Sequence, residues 1–435
     1  MGNSRSSSLE KFTRVGSYAW RGHYTLFLLT LIYTLNYFDR NIFSIVLQSI
    51  KIDLQMTDTQ LGLVGGVAFV MFYSIMGIPI AWLADRYNRR NIIAIGLAFW
   101  SLMTACTGLV ANIWQLAMTR FLMGAGEASG MSPANSMLSD LYDKIRRPLA
   151  LSIMTCGSTF GMFLGYLIGG WVDEQFGWRT VFFVGGIPGM VVALIFYLTV
   201  REPERGASET GKVSLDVSTL GETLKFLLNN RTYVIVLLGG CLMAVHLYAT
   251  MVWGPTFVLR VHELPSGEMG TYMAFARGPT GLLGMILGGL LVQHLGRLDE
   301  RWRIRVPAAV CLLTTPMEVI FLFSDNLWFA LTGLAIASLF TSMYIGPIFA
   351  VLLGVVRVRM RAMATATFVV FGSFVGQFIG PLWVGYMNDL TQAQFGTHAI
   401  RYSLLVGPAC AFFAGLIIWS ASKCIEMDSQ RALQG

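Results

Sequence analysis

Charge is what this chain of 435 residues has least of. Asp, Glu, Lys and Arg make up 13% of it, while 55% is hydrophobic and the mean hydropathy is +0.61. Soluble domains carry roughly a quarter charged residues, so a water-soluble globule is excluded. Histidine is scarce too: the five (His23, His246, His262, His294 and His398) sit on different segments, with no HxxxH pair and no paired-acid motif. That speaks against a membrane metalloenzyme or other enzyme. No GxxxxGK followed by Ser or Thr occurs, so ATP is not the expected energy source. The six cysteines form no CxxC and no metal spacing with histidine, and all lie in or beside apolar runs. They read as small buried residues, and no metal or other cofactor is expected.

What is present is a succession of apolar runs. They fall near 24–49, 61–83, 91–111, 113–139, 148–171 and 180–200, then 232–259, 269–293, 306–323, 327–356, 362–387 and 400–422. Each is long enough to cross a hydrocarbon core of about 30 Å as a helix. The reading is an all-α polytopic membrane protein with twelve spans. It divides into an N-terminal segment 1–23, a six-helix bundle 24–200, a central loop 201–231, a second bundle 232–422 and a tail 423–435. Within the central loop, STLGETLKFLLNN is amphipathic and suits a helix lying on a membrane surface. The start lacks the short apolar core of a signal peptide. MGNSRS partly fits a myristoylation pattern, although a chain with many spans needs no lipid anchor.

The net charge of +7 is distributed as topology, without a nucleic-acid partner. With both termini cytoplasmic, one side holds RYNRR, KIRR, RLDERWRIR and RVRMR, while the other keeps only Lys51, Arg179, Arg260 and Arg401. The lopsided count fixes orientation by the positive-inside rule. Short termini and loops suit a bacterial inner membrane. The N-x-S/T triplet at Asn230 falls on the cytoplasmic side and suggests no glycosylation.

The halves echo each other. Gly157, Gly161 and Gly165 align with Gly372, Gly376 and Gly380 at one constant offset, and Arg146 aligns with Arg361. Small residues every four positions let helices pack closely. A shared register points further, to duplication, and two similar bundles around a midplane site are the architecture of a rocking transporter. A channel is disfavoured, because the repeats build two halves instead of a pore ring.

Between spans two and three stands LADRYNRR, with Asp85, Arg86, Arg89 and Arg90. It resembles the cytoplasmic signature of the major facilitator superfamily, where the aspartate helps latch the two halves. Ala81 and Asn88 replace the signature's usual glycines. In the second half Gln293 and His294 replace the acid and base, which implies a weaker latch there. LNYFDR in span one, the FWS of span three and GAGEAS in span four (124–129) together resemble the spinster branch of that superfamily. Agreement is specific in the first half and mainly one of layout in the second. The resemblance implies a monomeric transporter of lysolipids or sphingoid-type amphiphiles, with proton coupling proposed for some members. A proton-independent exchanger of organic anions, phosphates or drugs is the alternative of the same fold.

Ionisable residues inside the membrane are functional candidates, since each costs a few kcal/mol to insert. Asp39 lies about 22 Å along span one, and Arg120 about 10 Å down span four from the other side. Those depths agree, so a salt bridge between span one and Arg120 is feasible. Glu127, seven residues on, shares Arg120's face. In the superfamily, spans one, four, seven and ten line the cavity, so Asp39, Arg40, Arg120 and Glu127 would form a proton-coupling charge switch on one wall. Asn36, Tyr37, His246, Tyr248, Arg277 and Tyr344 are the expected substrate-cavity residues, with protons and a small amphiphile as partners. Glu318 in span nine has no functional account from sequence.

Overall fold

The computed structural model describes residues 4–143, 145–205, 220–357 and 360–433. Its regular structure among the described residues is helical, with no strand. The N-terminal half contains α1 (Ser4–Ile45), α2 (Phe69–Arg86), α3 (Arg89–Thr107), α4 (Ile113–Glu127), α5 (Arg147–Phe176) and α6 (Trp178–Thr199). The C-terminal half contains α7 (Arg231–His262), α8 (Ser266–Leu295), α9 (Trp302–Phe323), α10 (Leu327–Gly354), α11 (Arg361–Phe395) and α12 (Val406–Ser420). By length and composition, nine stretches of the described residues are apolar enough to cross a membrane, and the last of them, 363–423, takes in nearly all of α11 and the whole of α12. The two long elements outside that set are α1, with its polar start, and α4. The latter breaks at 128–130 and resumes as Met131–Leu141. The arrangement is consistent with twelve crossings.

Local chemistry explains where helices start. Asn88, Asn112, Asn230 and Asn326 each stand just before a long helix, their side-chain oxygens accepting a backbone N–H of its first turn. Such caps are worth about 1 kcal/mol apiece. Asn230 also donates to the Val355 carbonyl at 2.8 Å and is buried, so the triplet there is structural. The amphipathic stretch of the central loop forms the helix Leu220–Asn229; the part of that loop at 206–219, like the first three residues of MGNSRS, lies outside the described residues.

The repeated glycines do the same work twice. On α5, Gly157 and Gly161 lie against the backbone of Thr30 and Thr34 on α1. On α11, Gly376 and Gly380 lie against Ala244 and Val245 on α7. An added Cβ at any of the four would come within 2.8 Å of backbone, so each half is built on the same close helix pair.

The two ends of the molecule differ. Between described residues, every side-chain hydrogen bond or ion pair joining the halves lies at the end away from the basic connections. There, Asp58 accepts from Arg260 (2.6 and 2.9 Å) and from Lys51 (2.7 Å). Asp389 accepts from the backbone N–H groups of Asp58 and Thr59 and from the Thr59 hydroxyl. Trp171 donates to Thr271, and Gly267 N–H to Glu174. At the same end α2 begins as a π-helical segment, Leu63–Ala68, a form often found at functional sites. Gly62 and Gly66 meet the backbone carbonyls of Pro381 and Gln377 there, leaving no room for a side chain.

Candidate functional site

A cavity of about 150 Å³ lies between the halves, from the level of Arg40 toward the basic end. Its polar floor includes Asn36, Tyr37, Arg40, Glu127, Tyr248, Ser373 and Gln377, and its apolar wall Leu29, Ile32, Met131 and Met154. Three of the six expected cavity residues, Asn36, Tyr37 and Tyr248, line it. His246, Arg277 and Tyr344 do not, and that expectation is corrected. His246 points into the C-terminal half at Glu318, because its neighbour Tyr248 takes the cavity face and the two lie about 200° apart on the helix. Arg277 donates to the Thr250 carbonyl at 3.3 Å. Tyr344 is buried with its hydroxyl unpartnered.

The four charges of spans one and four do converge, in a pattern of their own. Arg40 Nε donates to Glu127 Oε2 at 2.7 Å, and the other carboxylate oxygen, Oε1, is buried without a partner. The Arg40 guanidinium also lies 5.5 Å from the Tyr37 ring centre, 4.9 Å from Phe69 and 5.2 Å from Tyr73. An aromatic cage of this kind attracts a cation through ring quadrupoles. Asp39 accepts from Thr104 at 3.2 Å and leaves Oδ1 unpartnered. Gly185 on α6 lets this carboxylate in, since a Cβ there would sit 2.9 Å from Oδ1.

Arg120 makes neither of the ion pairs that depth alone allowed. Its guanidinium lies over Phe43 at 4.2 Å and Phe69 at 5.5 Å, and it donates to the Met123 sulfur. It is 3% exposed with Nε unpartnered. A buried guanidinium without a hydrogen-bonded carboxylate is costly. This one stands next to two carboxylates that each keep a free oxygen.

The four residues of LADRYNRR stay within their own half. Arg89, 1% exposed, donates to Glu202 at 2.7 Å, to Asp140 at 2.5 Å and to the Pro203 carbonyl at 3.1 Å. Arg90 lies over Tyr197 and Arg86 over Trp82. Among the described residues no cation pairs with Asp85. Instead Arg205 binds the carbonyls of Ala84, Asp85 and Tyr87, closing the end of α2. The expected contact with the other half is therefore not made by these four residues, and no hydrogen bond or ion pair between described residues joins the halves at the basic end.

Sequence reasoning missed Thr104, Tyr73, Gln377 and the Asp58–Arg260–Asp389 cluster. Gln377 had a visible signal, a lone amide inside the apolar GSFVGQFIG. Asp58 had one as well, since Thr57 and Gln60 form a capping box in which an acid has no capping duty.

Comparison with known proteins places the chain. The sequence profile of the Major Facilitator Superfamily matches residues 29–421. Protein spinster homolog 1 of Rattus norvegicus is 30% identical over 99% of this chain and 88% of that protein. An MFS-type efflux pump of Mycolicibacterium smegmatis is 29% identical over 92% of each. The crystal structure of a bacterial homolog to the human lysosomal transporter spinster, in an inward-facing and unoccupied conformation, superposes with a TM-score of 0.85. It shares 28% identity and covers 94% of this chain and 98% of that one. The chain belongs to the major facilitator superfamily, among its spinster-type transporters. It is a multi-pass membrane transporter and not an enzyme.

Proposed function

We propose that this protein is a proton-coupled secondary transporter working by alternating access on an amphiphilic or anionic solute of the lysolipid or sphingoid type. The observation that carries the reading is the single ion pair Arg40–Glu127 on the cavity floor, flanked by the unpaired Arg120. Proton binding and arginine binding compete for the same carboxylate. A proton on Glu127 would free Arg40 for an anionic head group, while the apolar wall from Leu29 to Met154 accommodates a chain. Asp39, with one free oxygen, offers Arg120 an alternative partner when the pairing changes. The proton gradient would be the energy source. The basic end would face the cytoplasm of a cell with both termini inside, as the Lys and Arg bias favours. Few amides face the cavity to satisfy a sugar's hydroxyls, which favours an amphiphile.

The test is uptake and efflux of lysophospholipids, sphingoid phosphates and sugars in proteoliposomes, with and without an imposed pH gradient. The wild type is expected to respond to the gradient with a lysolipid or sphingoid phosphate. Glu127→Gln is expected to lower the gradient-driven rate by about a hundredfold or more, within the range for losing a proton-transfer group. Full gradient dependence in Glu127→Gln would sink its role. Gradient-independent exchange by the wild type would favour the organic-anion alternative.

A further inference from the structure

Away from the cavity, the C-terminal half buries a second pair of ionisable side chains. Glu318 on α9 and His246 on α7 face each other across the bundle with Oε2 and Nδ1 3.1 Å apart, and their side chains are only 4% and 3% exposed. The contact is close without being an aligned hydrogen bond, so Nδ1 has no directed partner. Glu318 Oε1 lies 3.1 Å from the Thr250 hydroxyl, and that hydroxyl also lies 2.8 Å from the His246 carbonyl. Gly407 on α12 closes the site: a Cβ there would stand 3.0 Å from Glu318 Oε2 and 3.6 Å from His246 Nδ1.

Two arguments give this cluster a proton to hold. The first is charge. A lone carboxylate this deep would be uncompensated, which is strongly unfavourable in a membrane interior. Neutral histidine cannot compensate it, so the pair needs one added proton, on either partner. The second is hydrogen counting. One Thr250 hydroxyl proton cannot serve both the His246 carbonyl and Glu318 Oε1. A proton on Oε1 resolves the conflict, because Glu318 then donates to Thr250 and Thr250 donates to the backbone.

The groups facing the pair are few. From α10 comes Thr341, whose hydroxyl is 3.2 Å from His246 Nε2 and which is half-buried. From α12, Gly407 lies against the pair. From α8, Arg277 reaches the carbonyl of Thr250. Arg277 is the one other charged side chain in contact with these atoms among the described residues. The α8 helix that carries it packs on α5 of the other half, where Gly270 meets the Tyr166 carbonyl. Thr341 thus links the pair to a half-buried position on α10, while Thr250 and Arg277 lie on the side facing the joint of the two halves.

We propose that His246 and Glu318 form a second proton-binding site, enclosed in the C-terminal half, that exchanges one proton with solvent through His246 Nε2 and Thr341. The proton binds to Glu318 or His246 and leaves by the same route, with no other bond made or broken. The site stands apart from the role proposed for Glu127, and the two can fail separately.

The test is infrared difference spectroscopy of the purified full-length protein between about pH 5 and 9, the range in which histidine is the natural titrating group. The wild type is expected to show a carboxylic-acid or imidazolium signal that changes with pH. The signal should be lost in both Glu318→Gln and His246→Gln and retained in Glu127→Gln. A wild-type difference spectrum that neither Glu318→Gln nor His246→Gln alters overturns the site, as does a signal lost only in Glu127→Gln. Should the glutamine variants not fold, Glu318→Asp is expected to keep the signal and shift its midpoint by half a pH unit or more. An unshifted midpoint would refute the proposal equally.

Discussion

The two ends of this molecule handle their charges in opposite ways. At the end away from the basic loops, carboxylates and cations from different halves meet. Asp58 stands between Lys51 of its own half and Arg260 of the other, and Asp389 caps the start of the short helix Asp58–Gly62 from across the divide. At the basic end, Arg89 is satisfied by Asp140 and Glu202 of its own half, and Arg301 by Glu426 of its own. Ion pairs within a half leave that half unchanged when the two rock. Ion pairs between halves exist only in the state that closes that end, so they bias the equilibrium between states. The closed end is therefore the better target for shifting conformation, and the open end for weakening one bundle.

The strongest break of that contrast is steric. Gly170 on α5 lies against the Ser266 carbonyl of α8, and Gly270 lies against the Tyr166 carbonyl, each without room for a Cβ. Gly170→Val must push the helices apart only where the halves touch. Overpacking of this kind costs about 1–3 kcal/mol, roughly a factor of ten or more in the balance between states. Spin labels placed on each half at that end should report a longer separation, with transport falling to background. An unchanged distance distribution would mean that the closed end is not limited by this crossing.

Asp58→Asn should act in the same direction and less severely. It leaves Lys51 and Arg260 facing each other without their carboxylate. Removing one partner of a fully buried pair costs roughly 3–5 kcal/mol, but both cations here are partly exposed, at 20% and 12%, so a loss nearer the ~1 kcal/mol of an exposed pair is expected. The same spin-label distances should broaden toward the open value. The double variant Asp58→Asn with Arg260→Gln should recover part of the shift, since it removes the unpaired cation as well. A double-variant shift equal to the sum of those of Asp58→Asn and Arg260→Gln alone would show that the pair is not coupled.

Much of this layout was legible in the sequence because membrane physics speaks loudly there. Twenty-residue apolar runs, the lysine and arginine bias and the repeated glycines of GSTFGMFLGYLIGG and GSFVGQFIGPLWVG gave helices, halves and their close helix pairs. Depth counting brought Asp39 and Arg120 to one level and put Glu127 on Arg120's face about 10 Å deeper, and the four charges do converge in one cluster. The partner of each was beyond such counting. A guanidinium reaches several ångströms in any direction, so the choice of Arg40 over Arg120 for Glu127 depends on where Phe43 and Phe69 place their rings. His246 shows the same limit: membership of a cavity helix does not say which face a residue occupies. The Asp58–Arg260–Asp389 cluster was hidden because its members lie at helix ends more than 120 residues apart in sequence, where periodicity carries no information.

The smallest effect on conformation is expected at the basic end, from Arg89→Gln. The substitution removes the cation from Asp140 and Glu202 and leaves a buried site short of donors. The N-terminal bundle should weaken by a few kcal/mol, seen as a thermal midpoint lower by roughly 5 °C or more at about 2–4 °C per kcal/mol for a unit of 150–250 residues, the size of one bundle. Spin-label distances at the closed end should stay at their wild-type values, because the hydrogen bonds of Arg89 to described residues all stay within its own half. The comparison then has a sharp edge. A variant that lowers the thermal midpoint and leaves the distances alone identifies Arg89 as a brace inside one bundle. A variant that shifts the distances with little loss of stability would return Arg89 to the gate, and the contrast between the two ends would have to be redrawn.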